Sequence, residues 1–192
     1  MPYYSDKDLV TALLGICKFR ARIGYEGLRT KLLIYPNLPT AHGNSHPLSS
    51  NITEEQNMNR LKIYANTEPL PNNYTASPLG LIDESYGSKR RIHHLSYPPA
   101  GTESVNSGIP ECYRTIAYSI ISEAIEAIQA FGQNGVVLKR DFESAFRHIL
   151  ASPLDVPLLG FHWQDTHFSE YFLPFRLRTA PYLFNLFTEA FQ

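Results

Sequence analysis

Proline breaks this chain so regularly that no long regular element fits between the breaks. Its 192 residues hold 14 prolines and 11 glycines, and many gather with Asn, Ser and His in stretches 35–50, 68–78 and 97–110. Such stretches read as loops. Between them lie short apolar segments of both helical and alternating period, which points to an α+β arrangement. With 43% hydrophobic and only 18% charged residues, the chain has the composition of a packed globular domain. Its length suits one sizeable core with a small appended part.

Charge and cysteine content exclude several function classes. A net charge of −1 provides no global basic field, so any nucleic-acid contact must come from local patches. Cys17 and Cys112 lie far apart, which indicates neither a disulfide framework nor a zinc module. The N-terminal segment has no basic flank before its apolar run, and no run of about eighteen apolar residues occurs. An intracellular location, cytoplasmic or nuclear, is the expectation, with no membrane partner. Asn51-Ile-Thr53 and Asn73-Tyr-Thr75 match the glycosylation pattern, which matters only in a secreted protein.

Read in order, the segments give a helix over DLVTALLGI capped by Ser5, then a loop from Tyr35 to Ser50. A second helix follows Thr53, with Met58, Leu61 and Tyr64 on its inner face. SPLGLI and RRIHHLS flank DESYGSK, where Gly87 suits a turn, so a β-hairpin is expected. SIISEAIEAIQAF places Ile120, Ile121, Ala124, Ile125 and Ile128 at amphipathic helical spacing. VVLKRD then reads as a strand and FESAFRHI as a short helical stretch. PLLGFHW and FSEYFLPF read as β runs around QDTH, and APYLFNLFTEAF as a final helix.

Three blocks in this order, SPLGLIDESYGSKRRIHHLSYP, VVLKRDFESAFRHI and FLPFRLRTAPYLFNLF, resemble the reverse transcriptase domain of tyrosine-recombinase-encoding (DIRS-like) retrotransposons, especially fungal ones. FRARIGYEGLR and SVNSGIP resemble the same group, so the likeness runs from about Phe19 onward. The resemblance implies an N-terminal extension of helices and loops over 1–68. It also implies a partial fingers and palm over 69–192. RNA template, DNA primer and deoxynucleoside triphosphate are the implied partners, with Mg²⁺ as cofactor.

The middle block resembles polymerase motif A, which makes Asp141 the catalytic and metal-binding carboxylate. Mg²⁺ takes hard oxygen ligands and bridges primer hydroxyl and triphosphate. On the residues alone, Asp141 also reads as a simple helix cap. Phe146, five positions on, would screen the sugar of the nucleotide, or it packs a core. Ser144 and Ala145 lie where backbone N–H groups would contact the triphosphate.

The first block resembles the fingers hairpin, whose basic residues fold onto the triphosphate. Arg90 is the best match for that contact, since a guanidinium fork suits phosphate oxygens. Arg91, Lys89, His93 and His94 widen the positive surface, with Lys89 placed for template or primer. The same run also reads as a solvated strand face. The third block resembles motif B, keeping Pro174, Phe175, Thr179, Ala180 and Pro181 in order. Phase for phase it assigns Phe175 to the nucleotide and Pro181 to template or primer, though proline near a helix start is common in any fold.

Three departures bear on activity. Motif C, an adjacent aspartate pair in a hairpin, has no counterpart before Gln192, and no Asp-Asp dipeptide occurs. Asp83 stands where the hairpin would carry a triphosphate-binding lysine. Arg176 stands at motif B's glycine, where glycine-only backbone angles become costly. The expectation is a truncated, inactive polymerase fragment, self-associating through an open edge of the VVLKR strand. A retained nucleic-acid-binding or protein-interaction module is the alternative. A metal hydrolase built on His93, His94, His148, His162 and His167 lacks the spacing that puts two ligands on one helical face.

Overall fold

The computed structural model describes residues 6–43, 45–84, 87–99, 103–114, 116, 121–132, 135–136 and 141–190. It is an α+β fold. Its helices are α1 (Lys7–Phe19), α2 (Pro39–His42), α3 (Ser45–Asn57), α4 (Ile121–Phe131) and α5 (Ala180–Glu189). Its strands are β1 (Leu33–Ile34), β2 (Leu61–Tyr64), β3 (Thr75–Ala76), β4 (Leu79–Asp83), β5 (Lys89–His93), β6 (Gly160–Trp163) and β7 (Thr166–Glu170).

Five strands form one sheet in the order β1-β3-β6-β7-β2, and β4-β5 form a separate two-stranded hairpin. The sheet is mixed: β3 runs parallel to β1 and β6, while β7 is antiparallel to β6 and β2. Strands from before residue 69 thus pair directly with strands from after it. Gly160 sits where β3 and β6 approach most closely. A Cβ there would lie 2.6 Å from the Thr75 carbonyl oxygen and 2.5 Å from the Tyr74 ring, so no other residue fits without backbone movement.

Two main cores hold these elements. One packs Leu48 and Ile52 of α3 against Leu79 and Leu81 of the hairpin and Phe161, Trp163 and Phe168 of the sheet. The other joins Ala21 and Ile23 to Ile149, Leu158, Leu173, Leu177 and Leu183. The hairpin and α5 form where the alternating and helical patterns place them, whereas the start of PLLGFHW is a 3-10 turn (Val156–Leu159) and β7 begins at Thr166, inside QDTH, and ends at Glu170.

Several expectations need correction. The stretch 35–50 is not one loop, because it contains α2 and the first turns of α3. Proline is tolerated in a first helical turn, and Leu48 and Ile52, four apart, share the buried face. Thr53 lies inside α3 and caps nothing; its hydroxyl donates back to the Ser49 carbonyl at 3.0 Å. Leu61 and Tyr64 are buried on a strand rather than a helix, opposite Glu170 and His167, and Met58 is exposed. Asn59 breaks the helix with φ +54°, a conformation Asn tolerates.

The first helix is capped by Asp6, whose carboxylate accepts from the backbone N–H groups of Asp8 and Leu9; Ser5 lies outside the described residues. Helix α4 forms as expected, but none of its residues is buried. Residues 137–140, with most of the expected VVLKR strand and its edge, lie outside the described residues, as do Ile120 and Asn134. Among the described residues no helix is long and apolar enough to cross a membrane.

Candidate functional site

Antiparallel register sets the chemistry of the hairpin. It pairs Asp83 with Lys89, Ile82 with Arg90 and Leu81 with Arg91. Cross-strand neighbours of opposite charge attract, and Lys89 forms an ion pair with Asp83. Arg90 pairs with Glu84. Alternation along β5 turns Arg91 inward, where its side chain is only 6% exposed and donates to Glu170 at 3.0 Å.

A cavity of about 370 Å³ opens beside this strand, lined by Lys89, Arg90 and Arg91 from the hairpin, by Ser144 and Arg147, and by Phe175 with its neighbour Pro174. Asn51 and Glu55 of α3 close another wall. The Arg90 guanidinium lies 6.0 Å from the centre of the Phe175 ring. Phe175 in turn meets Phe146 edge-on at 5.3 Å, and Phe146 meets Phe184 of α5 at 5.9 Å. Three separate blocks of sequence therefore converge on one cleft.

The floor of the cleft is a buried ionic cluster. Glu170 is wholly buried and accepts from both Arg91 and Arg147. Arg147, 8% exposed, also lies 3.6 Å from Glu55. Burial by itself would raise the Glu170 carboxyl, but Arg147 and then Arg91 outweigh it and hold the group down at about 2. His93 is buried beside them, and desolvation dominates there, pushing its pKa down to about 4 despite the nearby Glu170. Its Nε2 lies 2.9 Å from the Gly160 carbonyl, the contact of a neutral ring donating its proton.

The turn before α5 carries the strain its sequence implies. Arg176 has φ +72°, a left-handed conformation that glycine adopts freely and arginine does not. Asn106 holds it there: its amide donates to the Arg176 carbonyl at 2.8 Å, and its carbonyl accepts from the Arg178 N–H at 2.9 Å. The SVNSGIP loop thus fastens the turn before α5. The FRARIGYEGLR segment is fastened too, since buried Asp155 accepts from Arg22, Arg29 and the Ile23 N–H.

Of the residues singled out in the sequence, Lys89, Arg90, Arg91, Ser144 and Phe175 line one cavity, with Phe146 packed against it. Asp141, Ala145 and Pro181 are not among the lining residues. Ser144 adopts φ +53° at the start of the 3-10 turn Ala145–His148. Asp141 is exposed. Among the described residues no group of three or more His, Cys, Asp or Glu side chains stands where it would hold a metal ion. A pair of Mg²⁺ ions needs several oxygen ligands, of which a single exposed carboxylate such as Asp141 supplies only part.

Glu170, Arg147, Glu55 and Asn106 escaped sequence reasoning. A carboxylate between aromatics in FSEYF was the available signal, because a buried acid requires a buried cation.

No family model matches the chain, and no curated protein matches it in sequence. Solved structures do match. The native protease-reverse transcriptase of prototype foamy virus aligns with a TM-score of 0.55 at 16% identity, over 96% of this chain and 24% of that one. The fold is reverse-transcriptase-like. A foamy viral protease-reverse transcriptase in complex with double-stranded DNA gives 0.54 at 12% identity, over 98% of this chain and 39% of its own. Another foamy viral complex with double-stranded DNA gives 0.55 at 11% identity, over 89% and 26%. This reverse-transcriptase-like chain therefore spans between about a quarter and two fifths of the structures it resembles.

Proposed function

We propose that this protein derives from the RNA-directed DNA polymerase of a DIRS-like retrotransposon of fungal type, and that as it stands it does not polymerise. The convergence of Arg90, Phe175 and Phe146 around one cavity carries this reading, because three sequence blocks with no local reason to meet build a single cleft. Under it, residues 69–192 contribute fingers and palm and 1–68 an extension, although the sheet crosses that boundary. Asp141 would supply one ligand to Mg²⁺. Ser144, Ala145 and Phe146 would face the triphosphate and sugar, and Lys89 and Pro181 the template and primer.

Inactivity follows from chemistry at three positions. One carboxylate does not hold two ions. Lys89 and Arg90 are already paired with Asp83 and Glu84, so a triphosphate would have to displace a carboxylate from each. Arg176 takes a strained backbone at the motif B-like turn.

Primer extension on an RNA template with Mg²⁺ or Mn²⁺ tests this. The expected result is no product from the chain alone. Fusion to the motif C and thumb segment of a related element should give weak activity, raised by Asp83→Lys and Arg176→Gly and abolished by Asp141→Asn. Extension by the unmodified chain that survives Asp141→Asn would refute the reading. Phe175, half exposed beneath Arg90, favours a second reading as a module that grips a nucleic-acid strand by stacking. Steep salt dependence of binding would support it, and weak salt-independent binding would remove it. An intracellular site of action and self-association belong to the same proposal.

A further inference from the structure

We propose that Glu170 is a positioning residue that clamps the hairpin onto the turn behind Asp141 and so sets the opening of the cleft. Its carboxylate is the meeting point of two arginines from different blocks: Arg91 of β5 and Arg147 of the turn Ala145–His148. It stands on the most regular part of the sheet, with β7 paired on one side to β6 and on the other to β2, where Leu61 faces Glu170. The anchor is a strand paired along both edges; the two anchored elements are not strands of that sheet.

Little else holds Arg91. One of its terminal nitrogens bonds Glu170, and the other, buried, has no hydrogen-bond partner among the described residues. Its guanidinium lies 5.0 Å from the centre of the Phe161 ring. Arg147 likewise depends on Glu170, with Glu55 more distant at 3.6 Å. Removing the Glu170 charge leaves two buried guanidiniums facing each other, with only Glu55 beside Arg147 to offset them. Such groups move apart or toward water. Leu79 and Leu81 hold the base of the hairpin in the core, so the displacement would fall on its outer part, and Arg90, the next residue along, would leave Phe175 with it. His93, also on β5, is held neutral by burial and so adds no third positive charge beside the two guanidiniums.

The role of this clamp rests on reading the cavity as a polymerase cleft, but its test needs neither nucleotide nor primer. Spin labels at Ser88→Cys in the hairpin and Glu143→Cys beside the turn, with exposed Cys17 and Cys112 changed to serine, report the distance directly. The chain with Glu170 intact should give a narrow distribution. E170Q should remain cooperatively folded and shift the mean outward by roughly one contact distance, about 3 Å. E170D, which keeps the charge, should restore most of the original distance. A folded E170Q with an unchanged distribution overturns the proposal. Should E170Q fail to fold, R91Q, which leaves the Glu170–Arg147 pair in place, is expected to fold and to show the same outward shift. R91Q with the original distance, or unable to fold, overturns it equally. None of these outcomes bears on the polymerase ancestry, which primer extension tests separately.

Discussion

Replacing Asp155 by alanine should cost about 4 kcal/mol, and the figure can be built contact by contact. The carboxylate is fully buried and accepts from the Ile23 N–H at 3.0 Å, Arg29 at 2.7 Å and Arg22 at 2.9 Å. Orphaning the buried Ile23 donor costs about 1–3 kcal/mol. Arg29 is 28% exposed, and losing a charge-assisted bond there costs about 1–2 kcal/mol. Arg22 is 56% exposed, so its share is screened to roughly 0.5 kcal/mol. The sum is a large fraction of the roughly 5–15 kcal/mol that holds a domain folded. Urea unfolding followed by circular dichroism gives the free energy, and Trp163 fluorescence gives a second probe in the other core. Coincident transitions would license a two-state treatment. A domain of this length should melt roughly 8–16 °C lower. Arg22→Ala, by contrast, should change stability by less than about 1 kcal/mol. A loss below about 1 kcal/mol in Asp155→Ala would refute the claim that this carboxylate fastens the N-terminal segment.

Two further outcomes follow from the strained turn and the buried histidine. Arg176→Gly should leave the protein as stable or up to about 1 kcal/mol more stable, since a left-handed arginine costs roughly 1 kcal/mol or more; a loss above about 1 kcal/mol in chemical denaturation would contradict the strain. The pKa of His93 is pushed down from 6.5 to about 4 in the folded state, so the unfolded chain takes up the proton first on acidification. Its contribution is fully present above pH 6.5 and is lost as pH falls toward 4. Glu170, held at about 2 against an ordinary 4.5, withdraws its contribution below that, from pH 4.5 downward. Unfolding free energy measured from pH 7 to 4 should decline by up to one proton's slope, and His93→Gln should flatten that decline; an equal slope in both would refute the assignment.

The hairpin was legible because its signal is local. Period-two alternation on both sides of Gly87 specifies two paired strands whatever surrounds them. The helices over DLVTALLGI and APYLFNLFTEAF were legible from local period for the same reason. Residues 53–64 were not. Met58, Leu61 and Tyr64 fall at helical spacing, yet Leu61–Tyr64 form a strand because β7 offers a free edge opposite them. A partner about a hundred residues away in sequence decides that, and no local period encodes it.

The site divides along the same line. Sequence by itself determined which residue types stand ready: a basic strand, an aspartate at 141, an aromatic before a non-glycine turn residue. The positive φ at Arg176 agrees with the glycine position that the resemblance to motif B implies. Only the tertiary structure decided which charges remain available. It paired Lys89 and Arg90 with acids of the hairpin itself, and it buried Arg91 and Arg147 on Glu170. An arginine's charge is written in the sequence, but whether that charge meets solvent, ligand or a buried carboxylate depends on which side chains the fold brings within a few ångströms, because Coulomb attraction and desolvation both act at contact range.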